Sequence, residues 1–147
     1  MPYFVCPNCK RRVVDNDRRD GLTHQPVGCA SCGFGFLFEL LEDYYPGPNT
    51  GFVVCDARER IIAVGRGVLE LTGYHERELL GHELMEGFGL AAPDGQDPAA
   101  LALEWGVRRL DQRLTLRTRS GSTRKVVADF FPAYDSDGGL LVALSPG

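Results

Sequence analysis

The sequence predicts an α+β chain: a five-stranded antiparallel sheet with its helices gathered on one face, preceded by a small cysteine-rich head. Three observations predict it. Short apolar runs at 51–56, 60–64, 114–116, 126–131 and 140–144 are separated by polar or glycine-bearing turns, as strands are. Only brief helical stretches intervene, apart from one longer run that opens at Asp97-Pro98. Four of the five cysteines fall within the first 32 residues, as the pairs Cys6-Pro7-Asn8-Cys9 and Cys29-Ala30-Ser31-Cys32.

The head comes first. Each Cys-x-x-Cys pair is a tight turn that aims two sulfurs at one point, and the nineteen residues between the pairs allow a hairpin to bring them together. Four thiolates suit a tetrahedral ion, so Cys6, Cys9, Cys29 and Cys32 are the expected ligands of a structural Zn²⁺ in a zinc-ribbon module over 1–35. The intervening KRRVVDNDRRDGLTHQPVG has little apolar surface and could not fold without such a staple. Paired disulfides would need an oxidising compartment, against which the absence of a signal-peptide pattern argues. Redox chemistry would need only one pair, at a helix start. Iron accepts the same four ligands, and the ligand set alone does not separate it from zinc. His24, a lone histidine between two complete pairs, is expected to be solvated.

Residues 34–45, FGFLFELLEDYY, are expected to form an amphipathic helix. Phe34, Leu37, Phe38, Leu41 and Tyr45 recur at three- and four-residue spacing, opposite Glu39, Glu42 and Asp43. Pro46-Gly47-Pro48-Asn49 ends it. This places a linking helix and turn over 36–48. Its apolar side must pack on the following domain or on a second copy of the chain, making a homodimer through 34–45 the expected assembly.

The larger domain, 49–147, opens with Gly51–Asp56, a polar turn, and Arg60–Val64, which read as a hairpin. A helical turn over Gly67–Leu71 is broken at Thr72-Gly73-Tyr74, and a second lies within His75–Gly81. A third falls within His82–Phe88, stopped by Gly87 or Gly89. Asp97 is placed to cap a helix with Pro98 at its first position, running to about Leu110 with Leu101 and Trp105 on its apolar side. Leu114 and Leu116 then alternate with polar residues. Gly121 and the Asp135–Gly139 segment turn the chain between the last strands.

Charge and composition remove whole classes of function. The chain has 147 residues, 44% hydrophobic and 24% charged, enough apolar content to bury a core. Its net charge of −4 argues against nucleic-acid binding through bulk charge. The distribution is uneven: residues 1–35 carry +2 before any metal is counted, and residues 36–147 carry −6. Lys10-Arg11-Arg12 beside the first cysteine pair leaves a weak nucleic-acid or acidic-partner patch, with a solvated surface the simpler reading. No transmembrane span or signal-peptide pattern is seen, so no membrane role and a cytoplasmic location are expected. No nucleophile motif or glycine-rich phosphate loop occurs, and His75–Leu79, HEREL, is not a metalloprotease motif. The pairs Asp94/Asp97 and Asp135/Asp137 sit in turns, where aspartate is ordinary. The chain is therefore expected not to be an enzyme.

The string FVVCDARERIIAVGRGVLELTGYHERELLGHEL resembles the opening of a PAS domain, a family of sensor and interaction modules. The Asp56-turn-Arg60-Ile61-Ile62 hairpin, Leu71-Thr72-Gly73-Tyr74 and Glu76-Arg77-Glu78-Leu79-Leu80-Gly81 carry the likeness, which extends over about 49–147. The helix expected at 34–45 resembles the family's N-terminal flanking helix, often a dimer contact. Where the family often has an asparagine after the second strand, this sequence has Gly65, which implies looser hydrogen bonding at that corner.

The resemblance implies a domain that binds haem, flavin, another small organic ligand or nothing, so the residues must decide. Light-sensing flavin chemistry would need a cysteine just after the LLG segment, but Gly81–Met85 has none. Cys55 lies on the first strand, where a lone cysteine is usually a core residue. A haem-ligating histidine would commonly sit on the long helix, and residues 98–110 contain none; His75 and His82 are expected to cap or face water. The candidate lining of an unidentified organic ligand's cavity is Phe52, Val54, Ile62, Leu84, Leu101, Trp105, Leu116 and Phe130, with Trp105 either lining the cavity or plugging it. Three readings follow. In the first, a sensor's ligand or protein partner biases the 34–45 helix and the ribbon transmits or docks. In the second, a filled core serves protein–protein interaction alone. In the third, the ribbon contacts nucleic acid. A length of 147 residues is expected to leave no room for an effector domain, so output is expected to pass through a partner or the ribbon.

Overall fold

The structure is a computed structural model, and the residues it describes are 3–6, 8–10, 12–14, 24–25, 37–40, 47, 49–132 and 139–147. Four short strands come first: β1 (Tyr3–Val5), β2 (Arg12–Val14), β3 (His24–Gln25) and β4 (Leu37–Leu40). They form an antiparallel sheet in the order β2-β1-β4-β3. Tyr-Phe-Val and Arg-Val-Val are the aromatic and β-branched composition that suits a pleated strand. Val5 pairs with Arg12, so Cys6 to Cys9 lies in the connection of the β1–β2 hairpin.

β4 corrects the expectation of a helix over 34–45. Residues 37–40 are extended and lie between β1 and β3, with Phe38 opposite both Val5 and His24. The physical reason is legible in hindsight. Phe34, Phe36, Phe38 and Leu40 also recur every second residue, and Gly33 and Gly35 weaken a helix nucleus. Both backbone edges of β4 are used by neighbouring strands, so the amphipathic helix that motivated a dimer through 34–45 is not formed at 37–40. Cys29, Cys32 and the Asp135/Asp137 turn lie outside the described residues.

The remaining chain builds the expected five-stranded sheet. Its strands are β5 (Gly51–Cys55), β6 (Ile61–Val64), β7 (Arg109–Arg117), β8 (Thr123–Pro132) and β9 (Leu140–Pro146), in the order β6-β5-β9-β8-β7 and antiparallel throughout. The first and last strands are thus neighbours, with Gly51 opposite Leu144 and Cys55 opposite Leu140.

Between β6 and β7 run α1 (Val68–Thr72), α2 (Glu76–Leu79), α3 (Leu84–Phe88) and α4 (Pro98–Trp105). α4 starts as its sequence predicts: Asp97 Oδ1 accepts the Ala100 N–H at 3.0 Å, with Pro98 in the first turn. It ends five residues earlier than the expected Leu110, because Gly106 turns left-handed at φ 63° and β7 begins at Arg109.

Two cores result. The helix-side core joins Val53, Leu84, Phe88, Leu116, Phe130 and Val142 with residues of all four helices. On the other side of the sheet, Phe52, Val54, Ala63, Phe131, Leu141 and Ala143 form a second buried cluster with no helix residue in it. β5 is therefore dry on both faces, which is why its sequence is continuously apolar rather than alternating.

The start of β5 presses against the start of α1. A Cβ on Gly67 would stand 2.8 Å from the Thr50 carbonyl oxygen, and the residue has φ +100°, a conformation that disfavours any side chain. Gly67→Ala combines strain and a backbone clash, and is expected to cost about 2–3 kcal/mol. Denaturant unfolding followed by circular dichroism should show a lower midpoint with an unchanged slope.

Candidate functional site

The first cysteine turn is built by backbone bonds. The Lys10 N–H donates to the Cys6 carbonyl at 2.8 Å, and Lys10 takes a left-handed φ of 65° to make it. The Cys9 N–H points at Cys6 Sγ, 3.5 Å away. An amide aimed at a sulfur favours its thiolate form, which is what a metal ligand needs. Cys6 is buried and Cys9 half-buried. The ends of β3 and β4 that flank residues 26–36 meet the end of β1 that runs into Cys6.

This turn touches the larger sheet at one corner. Asn8 Oδ1 accepts the backbone N–H of Arg66, 3.0 Å away, just where the chain leaves β6 for α1. The neighbouring Gly65 N–H donates to the Phe52 carbonyl at 2.8 Å. The looser corner expected from Gly65 is thus not found: an asparagine does serve it, supplied by the cysteine turn. Lys10 Nζ reaches the Gly47 carbonyl at 3.5 Å, and Thr50 Oγ1 shares a 2.8 Å hydrogen bond with Ser145 Oγ. Burial holds the Lys10 ammonium below its ordinary pKa, and the charge of Glu70 works the other way.

Comparison with known proteins bears on the larger sheet. A family profile described as PAS domain matches residues 49–145. The chain belongs to the PAS domain family. Solved structures agree with that fold. The PAS domain of a Colwellia psychrerythraea protein superposes with a TM-score of 0.56 at 18% identity, covering 67% of this chain and 86% of that one. The PAS domain of nitrogen regulation protein NR(II) from Vibrio parahaemolyticus gives 0.57 at 13%, covering 69% and 92%. The light-state structure of the blue-light photoreceptor Aureochrome1 LOV gives 0.54 at 25%, covering 66% and 80%. No curated protein matches the chain.

Within the PAS domain the eight candidate lining residues separate into four groups. Leu84, Leu116 and Phe130 are fully buried together in the helix-side core. Leu101 is half-buried and lines a cleft of about 80 Å³ beside Pro98 and Leu114. Phe52 and Val54 belong to the second cluster, across the sheet, so the helix-facing residues of β5 are Val53 and Cys55 instead. Ile62 and Trp105 are exposed, Trp105 by 70%, so neither lines nor plugs an interior cavity. α4 stops at Trp105, and its buried side is Pro98, Ala99 and Ala102.

Cys55 is a buried thiol of the helix-side core. Burial, followed by the nearby charges of Asp56 and Glu59, pushes its pKa far up, so it is neither a nucleophile nor a thiolate at neutral pH. His75 is the N-cap residue of α2, its N–H donating to Glu78 Oε1 at 2.9 Å, and His82 is exposed.

Sequence reading missed one group of side chains. Glu59, Glu83 and Asp97 bring one carboxylate oxygen each to within 4.8 Å of the others. The β5–β6 turn places Glu59: Asp56 Oδ1 accepts from Arg58 N at 2.8 Å and Arg60 N at 3.0 Å, and Glu59 itself sits at φ 63°. Its carbonyl accepts the Leu84 N–H at 2.8 Å, carrying it to Glu83 at the start of α3. Only long-range pairing unites residues so far apart in sequence, so no local pattern announces them.

Burial first, then the charge of and hydrogen bond with Asp97 and the charge of Glu83, push the Glu59 carboxyl up from 4.5 to about 7. The folded chain holds this proton more tightly than the unfolded chain. Its contribution to stability is therefore complete below about pH 4.5 and is lost as pH rises through about 7. Glu59→Gln should flatten that part of the stability–pH curve. It should also be more stable than the parent at pH 8, by at most about 1 kcal/mol because water screens a half-exposed cluster. Urea unfolding across that pH range checks both.

Proposed function

We propose that the chain is a non-catalytic regulatory protein of the cytoplasm in which the PAS domain receives a signal and the N-terminal cysteine module transmits it or docks a partner protein. The observation that carries this reading is the Asn8–Arg66 hydrogen bond, which ties the cysteine turn to the β6–α1 corner. A change in the position of α1 alters the site at which the turn is held, so the two parts read each other's state. This replaces the route through a 34–45 helix.

In this reading Cys6, Cys9, Cys29 and Cys32 hold one structural Zn²⁺ in a zinc ribbon. The Cys6 turn fits that role: its Cys6 sulfur receives an amide N–H, and it follows the end of β1 that lies beside the β4 end flanking residues 26–36. Bound zinc supplies cross-linking energy to a head with too little core to fold alone. Four thiolates call for a reducing compartment.

The interaction-only reading is favoured by one specific observation. Leu84, Phe88, Leu116 and Phe130 are at or near zero exposure, and the cleft at Leu101 is only about 80 Å³. That volume suits a few waters, not an organic cofactor. The buried core then leaves no ligand-sized space, the cleft of about 570 Å³ beside Ala91, Leu114 and Val126 opens at the surface, and in this reading a protein partner supplies the signal. Native mass spectrometry of the purified chain separates the readings: a retained organic mass favours an internal ligand, and its absence favours the partner.

The coupling has its own test in hydrogen–deuterium exchange at Arg66. Removing metal with a chelator should speed exchange of that amide several-fold, and Asn8→Ala should do the same while the chain keeps one zinc. An Arg66 amide unmoved by both treatments would refute the coupling. A purified chain without zinc would refute the metal assignment.

A further inference from the structure

The cleft of about 570 Å³ rests on β7 and β8. On these strands Leu114, Leu116, Val126 and Ala128 belong to the helix-side core, so Arg113, Thr115, Lys125 and Val127 alternate onto the opposite face. All four line the cleft. Arg113 pairs with Val127 and Thr115 with Lys125, so the cations hold one diagonal of a four-residue patch and the β-branched residues the other. Thr115 and Val127 are half-buried and make a low, mainly apolar floor, while Arg113 and Lys125 are exposed at its corners. The connection between α3 and α4 adds a wall of small apolar residues at Ala91 and Pro93. That wall is fixed to the edge of β7: the Ala91 N–H donates to the Thr115 carbonyl at 2.9 Å, and the Thr115 N–H to the Ala91 carbonyl at 3.0 Å. Among the described residues neither Arg113 nor Lys125 has a carboxylate within salt-bridge distance. Asp129, two residues beyond Val127 on the same face, turns one carboxylate oxygen to the Asp111 N–H at 2.8 Å. Like charges at neighbouring positions of one sheet face repel, and an anion between them offsets that cost.

We propose that this cleft binds a small, flat apolar carboxylate, with its charged end between Arg113 and Lys125 and its apolar body over Thr115 and Val127, against Pro93. The Arg113 guanidinium presents paired N–H donors that match both oxygens of a carboxylate, and the Lys125 ammonium adds a point charge. A floor two strands wide is broad and shallow, which suits a flat ring system better than a branched body. The volume lies in the range of small-ligand pockets. The site depends neither on zinc, nor on a ligand within the PAS core, nor on the Asn8–Arg66 contact.

Isothermal titration calorimetry of the full chain with naphthoate, naphthamide and acetate, at fixed ionic strength, tests it. Saturable binding of naphthoate at one site per chain is expected, with naphthamide about tenfold weaker or more and no saturable signal from acetate. Arg113→Gln removes an exposed charge and leaves the backbone pairing with Val127, so the fold persists. It should weaken naphthoate about tenfold and leave naphthamide unchanged, a split that a merely structural role does not produce. Lys125→Gln and added salt should each weaken naphthoate several-fold. Amide chemical shifts locate the ligand: naphthoate should move Ala91, Thr115 and Val127 and spare Cys55 and Phe130 of the helix-side core. Absence of saturable naphthoate binding overturns the proposal, and so does an affinity indifferent to both substitutions. Naphthamide binding as tightly as naphthoate overturns the carboxylate assignment, and shifts confined to the helix-side core overturn the location.

Discussion

The pairing of β5 with β9 is the constraint on which the rest of the fold depends. It joins the opening of the PAS domain to its last strand, with Gly51 opposite Leu144, and puts both strands in the middle of the sheet. Their residues are buried on both faces, so neither strand is stable as an edge or as a one-sided layer. The helices close one face. The second cluster, which holds Phe52, Phe131 and Leu141, contains no helix residue. A contact made across the whole domain also places the entropic cost of closure before its hydrophobic return, which makes folding slower than that of a locally connected domain of this size.

The same strand governs the corner where the two sheets meet. Gly51 has no room for a side chain: a Cβ would stand 2.7 Å from the backbone nitrogen of Val68. β5 and α1 are therefore locked together, and the short passage from Val64 to Val68 has little freedom left. An amide presented from such a rigid passage is a good anchor, because an acceptor that finds it loses little further entropy in doing so. Asn8 uses that anchor from the cysteine turn. A single hydrogen bond contributes only about 1 kcal/mol to stability. Its importance lies in fixing orientation, since it joins a left-handed cysteine turn to a left-handed glycine corner with no flexible side chain longer than asparagine between them.

Much of the sheet and most helix boundaries were legible because each had a local cause. Asp97-Pro98 signals a cap, Gly73 and Gly89 end short helices at left-handed angles, and Leu114/Leu116 alternate on one inner face. What was not legible depended on long-range choices. Phe-Val-Val-Cys is apolar at every position, so the sequence does not say which alternate residues face the helices; in the fold these are Val53 and Cys55, with Phe52 and Val54 across the sheet. In 34–45 the apolar residues satisfy a helical and an extended period at once, and pairing of 37–40 with β1 and β3 selects the strand. Trp105 fails as a lining residue because the helix that would have turned it inward has its C-terminus there. Among the candidate site residues, the spacing of Cys6 and Cys9 announces the shared turn in which they lie. Glu59, Glu83 and Asp97 were not announced, because the turn that gathers them is an outcome of folding.

Volume places the ligand-sized space of this domain outside its buried helix-side core. The cleft at Leu101, on the helix side of the PAS sheet, encloses about 80 Å³, and the neighbouring core side chains are already in contact. Opening ligand-sized room there would forfeit the contacts of several fully buried side chains, at a cost of about 3–5 kcal/mol for a phenylalanine alone. Two other clefts, of about 570 Å³ beside Ala91, Leu114 and Val126 and about 440 Å³ beside Lys10 and Arg66, need no such opening. The described PAS core is thus a filled, rigid body, and the ligand-sized space of the domain lies at its surface.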